Sequence, residues 1–338
     1  MDTVLEFNSI LKAFNIKASC VDYREIDNYC YYDLKLNPNA RVKDVQKYSD
    51  EISLALKSPC KPSIKILHKD GVVRLEFASP RKKVLKLFQY FINAPAPTTG
   101  DINCLLGQSV DGRRVWMDLA QNPHLLIAGT TGSGKSTLVH TIIANILKYN
   151  QVELFLVDPK RIEFSEYEKN IKSIPVFYNY DESLELLINL IEVMESRYER
   201  MRLGSDPKDL VPVVLIIDEF ADLIMQDKDD QFYTALCRLS QKCRAARIHL
   251  ILSTQRPSVN VISGTIKANF PARIGCRVAS HVDSKVILDS SGAENLFGKG
   301  DALLRDNIRQ LERFQIAYTT PVEVCRFFGD NSADLGIF

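Results

Sequence analysis

The sequence predicts an α/β fold, in which a mostly parallel β-sheet carries helices on both faces and follows a small N-terminal α+β domain. Three features lead to this prediction. A glycine-rich loop lies between an apolar run and a helical pattern at residues 124–146. Further apolar runs then alternate with helical patterns, as they do in parallel sheets. A stretch rich in Pro, Thr and Gly at residues 93–100 separates this part from the residues before it.

The glycine-rich loop has the spacing G-x-x-x-x-G-K-[ST] of a phosphate-binding P-loop. Glycines allow its N–H groups to turn inward onto phosphate oxygens, and the helix that follows points its positive end at the same anion. Lys135 is expected to reach the β- and γ-phosphates of ATP, and Ser136 to ligate Mg²⁺. The predicted nucleotide-binding residues are Gly129, Thr130, Thr131, Gly132, Ser133, Gly134, Lys135, Ser136 and Thr137.

We place the N-terminal domain at residues 1–95, the ATPase domain at 96–330 and a tail at 331–338. In the first domain, apolar spacing predicts helices at residues 4–14, 41–57 and 81–91. Strand-like sequence covers residues 20–36, and a hairpin is predicted for residues 63–77 around Lys69, Asp70 and Gly71.

In the second domain, strands are predicted at residues 103–110, 114–118, 125–128, 152–157, 213–217 and 248–253. A long helix capped by Asp181 is expected to reach Met201, and another covers residues 231–246. Ligands in such sheets bind at the carboxyl ends of the strands. The residues expected there are Gly129, Asp158, Asp218 and Thr254.

Two acids end the apolar strand at residues 213–217, which is a Walker B pattern. Asp218 is expected to hold Mg²⁺ together with Ser136, and Glu219 to act as general base on the attacking water. Gln255 follows the next strand and is the candidate sensor of the γ-phosphate or the water. Each pattern alone also fits an ordinary polar strand end.

Arginines near a phosphoryl-transfer site can stabilise the charge of the transition state. Five arginines lie downstream of the Walker B pattern, and from spacing alone any of them could instead be a surface charge or an ion-pair partner. They are Arg238, Arg244, Arg247, Arg273 and Arg277.

The composition is that of a globular protein with a formal net charge of +1. The N-terminus lacks the basic and apolar regions of a signal peptide, and no charge-free stretch approaches the length of a membrane span. The eight cysteines contain no C-x-x-C pair, which favours reduced thiols and a cytoplasmic location. The five histidines show no metal-binding spacing.

Several longer segments resemble the FtsK/SpoIIIE family of DNA translocases, in the order in which that family carries them. The resemblance extends over about residues 100–324, and the first domain resembles the small α domain of the family more loosely. The segments are residues 123–136, 158–160, 215–223, 241–250, 254–264, 266–274, 283–289 and 292–301.

The resemblance implies a RecA-like ATPase that uses ATP and Mg²⁺ and forms a hexameric ring around double-stranded DNA. It makes Arg244 the first candidate for an arginine finger acting on the neighbouring subunit, and Arg273 the second. Lys267 and Arg273 are the candidates for contacts with the DNA backbone, which are independent of sequence and sensitive to salt.

The sequence also departs from the family pattern. No membrane segment precedes the predicted motor, no winged-helix γ domain follows it, and Arg247 replaces a glycine. We therefore expect no direct membrane insertion and a separate loading factor if loading is directional. The alternatives are a conjugative coupling or protein-secretion motor of the same superfamily, and a non-catalytic DNA-binding adaptor. The intact Lys135, Asp218 and Glu219 argue against the adaptor.

Overall fold

The computed structural model describes residues 3–58, 60–79, 83–92, 102–149, 151–309 and 311–330. Two sheets organise these residues: a four-stranded antiparallel sheet near the N-terminus and a ten-stranded mixed sheet after it. The domain boundary predicted at residues 93–100 lies outside the described residues, so the exact limits of the two domains stay a prediction.

The first sheet has the strand order β1-β2-β4-β3, and all its neighbours are antiparallel. Its strands are β1 (Ala18–Ile26), β2 (Tyr29–Leu36), β3 (Ser63–Leu67) and β4 (Val72–Ala78). Its helices are α1 (Thr3–Ala13), α2 (Val42–Lys47) and α3 (Ser49–Ala55). Phe7 of α1 is fully buried and stacks on Tyr32 of β2 with ring centroids 4.1 Å apart. The structure confirms the α+β character and the hairpin predicted for residues 63–77, and it divides the strand-like residues 20–36 into β1 and β2. The helix predicted at residues 41–57 divides in two at Tyr48.

The helix predicted at residues 81–91 is wrong for residues 83–86, because α4 covers only Leu87–Ile92. Residues 83–86 instead run along the second sheet, where Lys86 and Tyr318 form a parallel bridge. The Leu87 N–H donates to the Tyr318 carbonyl at 2.8 Å, and the Tyr318 N–H donates to the Leu85 carbonyl at 2.6 Å. A partner more than 200 residues away therefore outweighs the local helical spacing.

The second sheet has the order β6-β5-β14-β13-β12-β7-β11-β10-β8-β9. Six neighbouring strands are parallel to one another: β12, β7, β11, β10, β8 and β9. The other four, β6, β5, β14 and β13, are antiparallel to their neighbours. The ten strands are β5 (Asn103–Ser109), β6 (Arg114–Asp118), β7 (His124–Ala128), β8 (Glu153–Val157), β9 (Val176–Phe177), β10 (Val213–Ile217), β11 (Ile248–Thr254), β12 (Ala272–Cys276), β13 (Asp301–Arg305) and β14 (Glu312–Ile316). The predicted α/β class with a mostly parallel sheet is confirmed.

Helices cover both faces of this sheet, because alternate residues of a strand point to opposite sides. The helices are α5 (Lys135–Tyr149), α6 (Ser165–Asn170), α7 (Tyr180–Arg202), α8 (Phe220–Gln226), α9 (Gln231–Lys242), α10 (Gly264–Asn269), α11 (His281–Leu288) and α12 (Pro321–Phe328). Leu125 and Ile127 of β7 belong to the core beneath α5, α6 and α12, whereas Leu126 and Ala128 belong to the core beneath α7, α8 and α9.

Two helix ends differ from the sequence prediction. Asn179, not Asp181, caps α7: its side chain accepts a hydrogen bond from the Glu182 N–H at 2.9 Å. Helix α9 ends at Lys242, four residues earlier than predicted, and residues 243–247 form turns. None of the helices in the described ranges is long and apolar enough to cross a lipid bilayer. All eight cysteines are present as thiols, as predicted.

Candidate nucleotide site

The glycine-rich loop lies at the carboxyl end of β7, and the strands beside β7 end at the same edge. Gly129, Asp158 and Asp218 directly follow β7, β8 and β10, and Thr254 ends β11. The four positions predicted from the sequence are thus confirmed to share one edge of the sheet.

Backbone conformation at two glycines of the loop, and close packing at one of them, explain why glycine occupies these positions. Gly132 and Gly134 have φ angles of +74° and +109°, a region that favours glycine. A Cβ atom at Gly134 would lie 2.6 Å from backbone atoms of Gly300. The Gly300 N–H donates to the Ser133 carbonyl at 2.8 Å, and the Lys299 N–H donates to the Gly132 carbonyl at 3.3 Å. We call residues 298–300 the backing loop; the sequence patterns did not predict its contact with the P-loop.

A cavity of about 520 Å³ opens in front of the P-loop, a size typical of small-molecule sites. Besides P-loop residues, the cavity wall contains Glu163 and Gln255 at the carboxyl edge of the sheet. The N-terminal side contributes Val84 and Leu85, and Tyr318 lies next to them. Both parts of the chain therefore shape this cavity.

Lys135 is buried beside the Walker B acid. Its ammonium group donates to Asp218 Oδ1 at 2.5 Å and to Ser253 Oγ at 2.7 Å. Ser253 also donates to Asp218 Oδ1 at 2.9 Å. The structure thus brings together the two predicted residues, and it adds Ser253, which sequence reasoning missed because a serine at a strand end is not distinctive.

Glu219 is fully buried and adopts a left-handed conformation with φ +54°. Its carboxylate accepts hydrogen bonds from the Thr254 hydroxyl at 2.7 Å and from the Gln255 N–H at 3.1 and 3.2 Å. Lys160 contacts the same carboxylate at 3.2 Å. The Gln255 side chain in turn accepts from the Thr131 hydroxyl at 2.8 Å, so Gln255 connects the predicted base to the P-loop.

Ser136 at the start of α5 donates its hydroxyl proton to Glu163 Oε1 at 2.7 Å. His140 lies one turn further along α5, with its Nε2 3.4 Å from Glu163 Oε2. The interaction with His140 is the largest influence on the Glu163 carboxyl and, together with the hydrogen bond from Ser136, lowers its pKa to about 2. Sequence analysis missed Glu163, although it lies only five residues after Asp158.

Five of the other seven predicted P-loop residues line the cavity. Thr130, Thr131, Gly132, Gly134 and Thr137 form part of its wall. Gly129 starts the loop, where a Cβ atom would lie 2.6 Å from Cys276 Cβ. Ser133 is buried beneath the loop.

The three predicted basic residues do not lie at this cavity. Arg244 is exposed in the turn between α9 and β11, at the amino-terminal edge of the sheet. Arg273 is buried in β12 and donates to the carbonyls of Phe270 at 2.9 Å and Lys267 at 2.8 Å. Lys267 and Arg273 also form ion pairs with Asp289. The structure therefore engages the Arg273 guanidinium within its own chain, which does not favour an arginine finger or a DNA contact at this position.

A P-loop after a central parallel strand, with acids that follow other parallel strands of the same sheet, defines the class of P-loop ATPases. Residues 95–205 and 203–259 match the model of the FtsK/SpoIIIE family, and the chain belongs to this family. It is 35% identical over 321 residues to the DNA translocase SftA of Bacillus subtilis, covering 88% of the chain and 33% of SftA. It is 37% identical to the DNA translocase FtsK of Lactococcus lactis subsp. cremoris, covering 87% of the chain and 42% of that protein. The chain thus spans less than half the length of these relatives.

Solved structures share the fold at lower identity. The pCW3 conjugation coupling protein TcpA, in its monomer form with ATPγS, has a TM-score of 0.66 and 22% identity, covering 97% of this chain and 99% of TcpA. EssC (ATPases 2 and 3) of Geobacillus thermodenitrificans has a TM-score of 0.63 and 18% identity, covering 77% of this chain and 53% of that one. These similarities support the RecA-like P-loop fold.

Proposed function

We propose that this protein is an ATP-driven motor that moves double-stranded DNA. Two observations carry the proposal: Lys135 at the P-loop cavity contacts Asp218, and Glu219 is connected to the P-loop through Gln255. The chain is also 35% identical to a DNA translocase. The P-loop supplies phosphate-binding N–H groups, and the acids supply the groups that phosphoryl transfer requires.

The hydroxyl of Ser136 and the carboxylate of Asp218 fit Mg²⁺, which prefers hard oxygen ligands and is usually held by few protein groups together with substrate phosphates. When bound with ATP, Mg²⁺ neutralises charge on the β- and γ-phosphates. With nucleotide bound, Lys135 would contact the phosphates in place of Asp218, and the Asp218 carboxylate would then be available to hold the cation.

Glu219 accepts the proton of the attacking water in this proposal. Its contacts with Thr254, Gln255 and Lys160 orient the carboxylate before the reaction. Gln255 senses the γ-phosphate, since it contacts both Glu219 and Thr131.

We also propose that the active assembly is a hexameric ring in which Arg244 completes the neighbour's site. Arg244 is exposed at the sheet edge opposite the P-loop, which is where a head-to-tail ring would present it to another subunit. Arg244→Ala should then lower the ATPase rate by about 10³-fold or more without weakening nucleotide binding. Arg238→Ala is the matched control, because Arg238 is exposed and pairs with the exposed Glu195 at 3.2 Å. An unchanged rate in Arg244→Ala would contradict this assignment.

The decisive experiment measures ATP hydrolysis with and without duplex DNA, together with displacement of a triplex-forming strand. Duplex DNA should stimulate hydrolysis in the wild type, and Lys135→Ala should show neither hydrolysis nor displacement. The stimulation should weaken as salt rises, because phosphate contacts release counterions. Absence of both stimulation and displacement would contradict the proposal.

A coupling or protein-secretion motor is the second candidate, because the fold of this chain matches TcpA along nearly the whole of both chains. Such a motor would co-purify with a relaxase or a secreted peptide and hydrolyse ATP without stimulation by duplex DNA. The same assay therefore separates the two candidates.

A further inference from the structure

The Ser136 hydroxyl donates to an acid outside the Walker B pair. Its proton goes to Glu163 Oε1 at 2.7 Å, while the Asp218 carboxylate accepts hydrogen bonds from Lys135 and Ser253. The candidate ligand Ser136 thus contacts Glu163, whereas the other candidate ligand, Asp218, contacts Lys135 and Ser253.

Contacts on several sides hold Glu163 in place. Asp158, fully buried at the end of β8, accepts hydrogen bonds from the N–H groups of Lys160, Glu163 and Phe164 and so fixes the turn that carries Glu163. His140 Nε2 approaches the second carboxylate oxygen of Glu163 at 3.4 Å.

His140 lies between Glu163 and a second partner in the core. Its Nε2 faces the Glu163 carboxylate, and its Nδ1 lies 3.0 Å from the Tyr167 hydroxyl, so the ring is held from both sides. The side chain of Glu163 retains 28% exposure and forms part of the cavity wall. It is therefore oriented by the core and still open to the site.

This arrangement has a direct consequence for cation binding. A hydroxyl that donates its one proton to a carboxylate keeps its oxygen lone pairs for another partner. Groups that orient a metal ligand in this way typically change metal affinity by about 10–100-fold when removed. The negative charge of Glu163 adds attraction for a cation at short range.

We propose that Glu163 is a positioning residue for the magnesium ion that accompanies ATP, acting through the Ser136 hydroxyl and through its own charge. The inference rests on the proposed ATPase function. It predicts opposite effects on binding with and without the cation, because the same charge that attracts Mg²⁺ repels the phosphates of metal-free ATP.

The test is Glu163→Gln, with binding of a fluorescent ATP analogue measured in EDTA and then as a function of Mg²⁺ concentration. In EDTA the variant should bind the analogue as tightly as the wild type or more tightly. The Mg²⁺ concentration that gives half of the cation-dependent increase in analogue binding should rise about 10–100-fold. Direct titration with Mn²⁺ followed by electron paramagnetic resonance, in the presence of ATP, should show the same weakening without reference to turnover.

Glu168→Gln is the matched control, because Glu168 is exposed on α6, where it accepts a hydrogen bond from the Tyr178 hydroxyl. The cation dependence of this variant should equal that of the wild type. Glu163→Asp keeps the charge and should recover part of the affinity for Mg²⁺. This variant replaces Glu163→Gln in the test if Glu163→Gln folds poorly. An unchanged Mg²⁺ midpoint in Glu163→Gln, or an equal loss of affinity with and without cation, overturns the inference. Failure of the proposed function itself looks different: the wild type would then bind no nucleotide at any Mg²⁺ concentration, and this inference would fall with it.

Discussion

Lys135 and Asp218 form a buried ion pair that must separate before Lys135 can meet a phosphate. Both side chains are only 3% exposed, so removing one partner leaves the other charge buried without compensation. We therefore expect Lys135→Ala to abolish nucleotide binding and to lower the free energy of unfolding by about 3–5 kcal/mol.

Chemical denaturation and a nucleotide-binding assay check this prediction together. The double variant Lys135→Met and Asp218→Asn should recover most of the stability, since it removes both charges, but it should recover no binding. Recovery of nucleotide binding in the double variant would contradict the role of Lys135 as a phosphate ligand.

Glu219 offers a second prediction at the same scale. Glutamine at this position can still accept from Thr254 and Gln255 but cannot take a proton from water. Glu219→Gln should retain bound ATP and lower the hydrolysis rate by about 10²–10⁴-fold in single-turnover measurements. Asp222→Asn is the control, because Asp222 is the other acid near Lys160, at 3.7 Å. Normal turnover in Glu219→Gln would remove the assignment of the base.

Residues with a distinctive spacing were predictable from the sequence, whereas their partners were not. The spacing of Gly129, Gly134 and Lys135 specifies phosphate chemistry by itself. Glu163 acts through Ser136, which is 27 residues away in sequence, and no local pattern encodes that pairing.

At the scale of elements, the P-loop depends on the backing loop. Gly134 combines a φ of +109° with backbone atoms of Gly300 2.6 Å from the position of a Cβ. Gly134→Ala should therefore add about 1–3 kcal/mol of backbone strain and should also weaken ATP binding, because the loop must shift away from Gly300. Thermal unfolding and nucleotide titration measure the two effects.

Gly264→Ala is the matched control for this substitution. Gly264 begins α10, and no atom lies within 4 Å of the Cβ position. That variant should be as stable as the wild type or slightly more so. A Gly134→Ala variant that behaves like Gly264→Ala would show that the backing loop does not restrain the P-loop.

The sequence predicted best those elements in which every residue is in the same kind of environment, such as a strand that is buried throughout. Strand β10 was predicted to the residue, because all five of its residues are buried and apolar. Residues 83–86 were assigned to a helix and β14 was not predicted, because each pairs with a segment more than 200 residues away in the chain. Strand β13, which was also not predicted, lies between β12 and β14.

For the whole molecule, a buried ion pair joins the N-terminal sheet to the second one. Arg313 contacts Asp301 at 2.7 Å and donates to the Glu76 carbonyl at 2.9 Å, and the Tyr29 hydroxyl donates to Asp301 at 2.8 Å. Burial alone would raise the pKa of Asp301, but the charge and hydrogen bonds of Arg313 outweigh it and lower that pKa. Asp301 therefore carries the charge that compensates Arg313.

Asp301→Asn should cost about 3–5 kcal/mol, because it leaves the Arg313 charge buried without a counter-ion. It should also let the N-terminal part unfold before the ATPase part. The single tryptophan, Trp116, lies in β6 of the second sheet, so its fluorescence follows the ATPase part while circular dichroism follows both.

The two signals should coincide in the wild type and separate in Asp301→Asn. Tyr29→Phe, which removes only one hydrogen bond at this junction, should cost about 1 kcal/mol and keep the signals together. Coincident transitions in Asp301→Asn would show that other contacts suffice to join the two parts.

The backing loop and this ion pair are adjacent in the chain. Lys299 and Gly300 bind the P-loop carbonyls, and the next residue, Asp301, holds Arg313 and Tyr29. Three consecutive residues therefore form a short mechanical link from the phosphate pocket to the N-terminal sheet. Any displacement of the P-loop must therefore either break the 2.8 Å hydrogen bond between Gly300 and Ser133 or shift Asp301 together with its contacts to Arg313 and Tyr29.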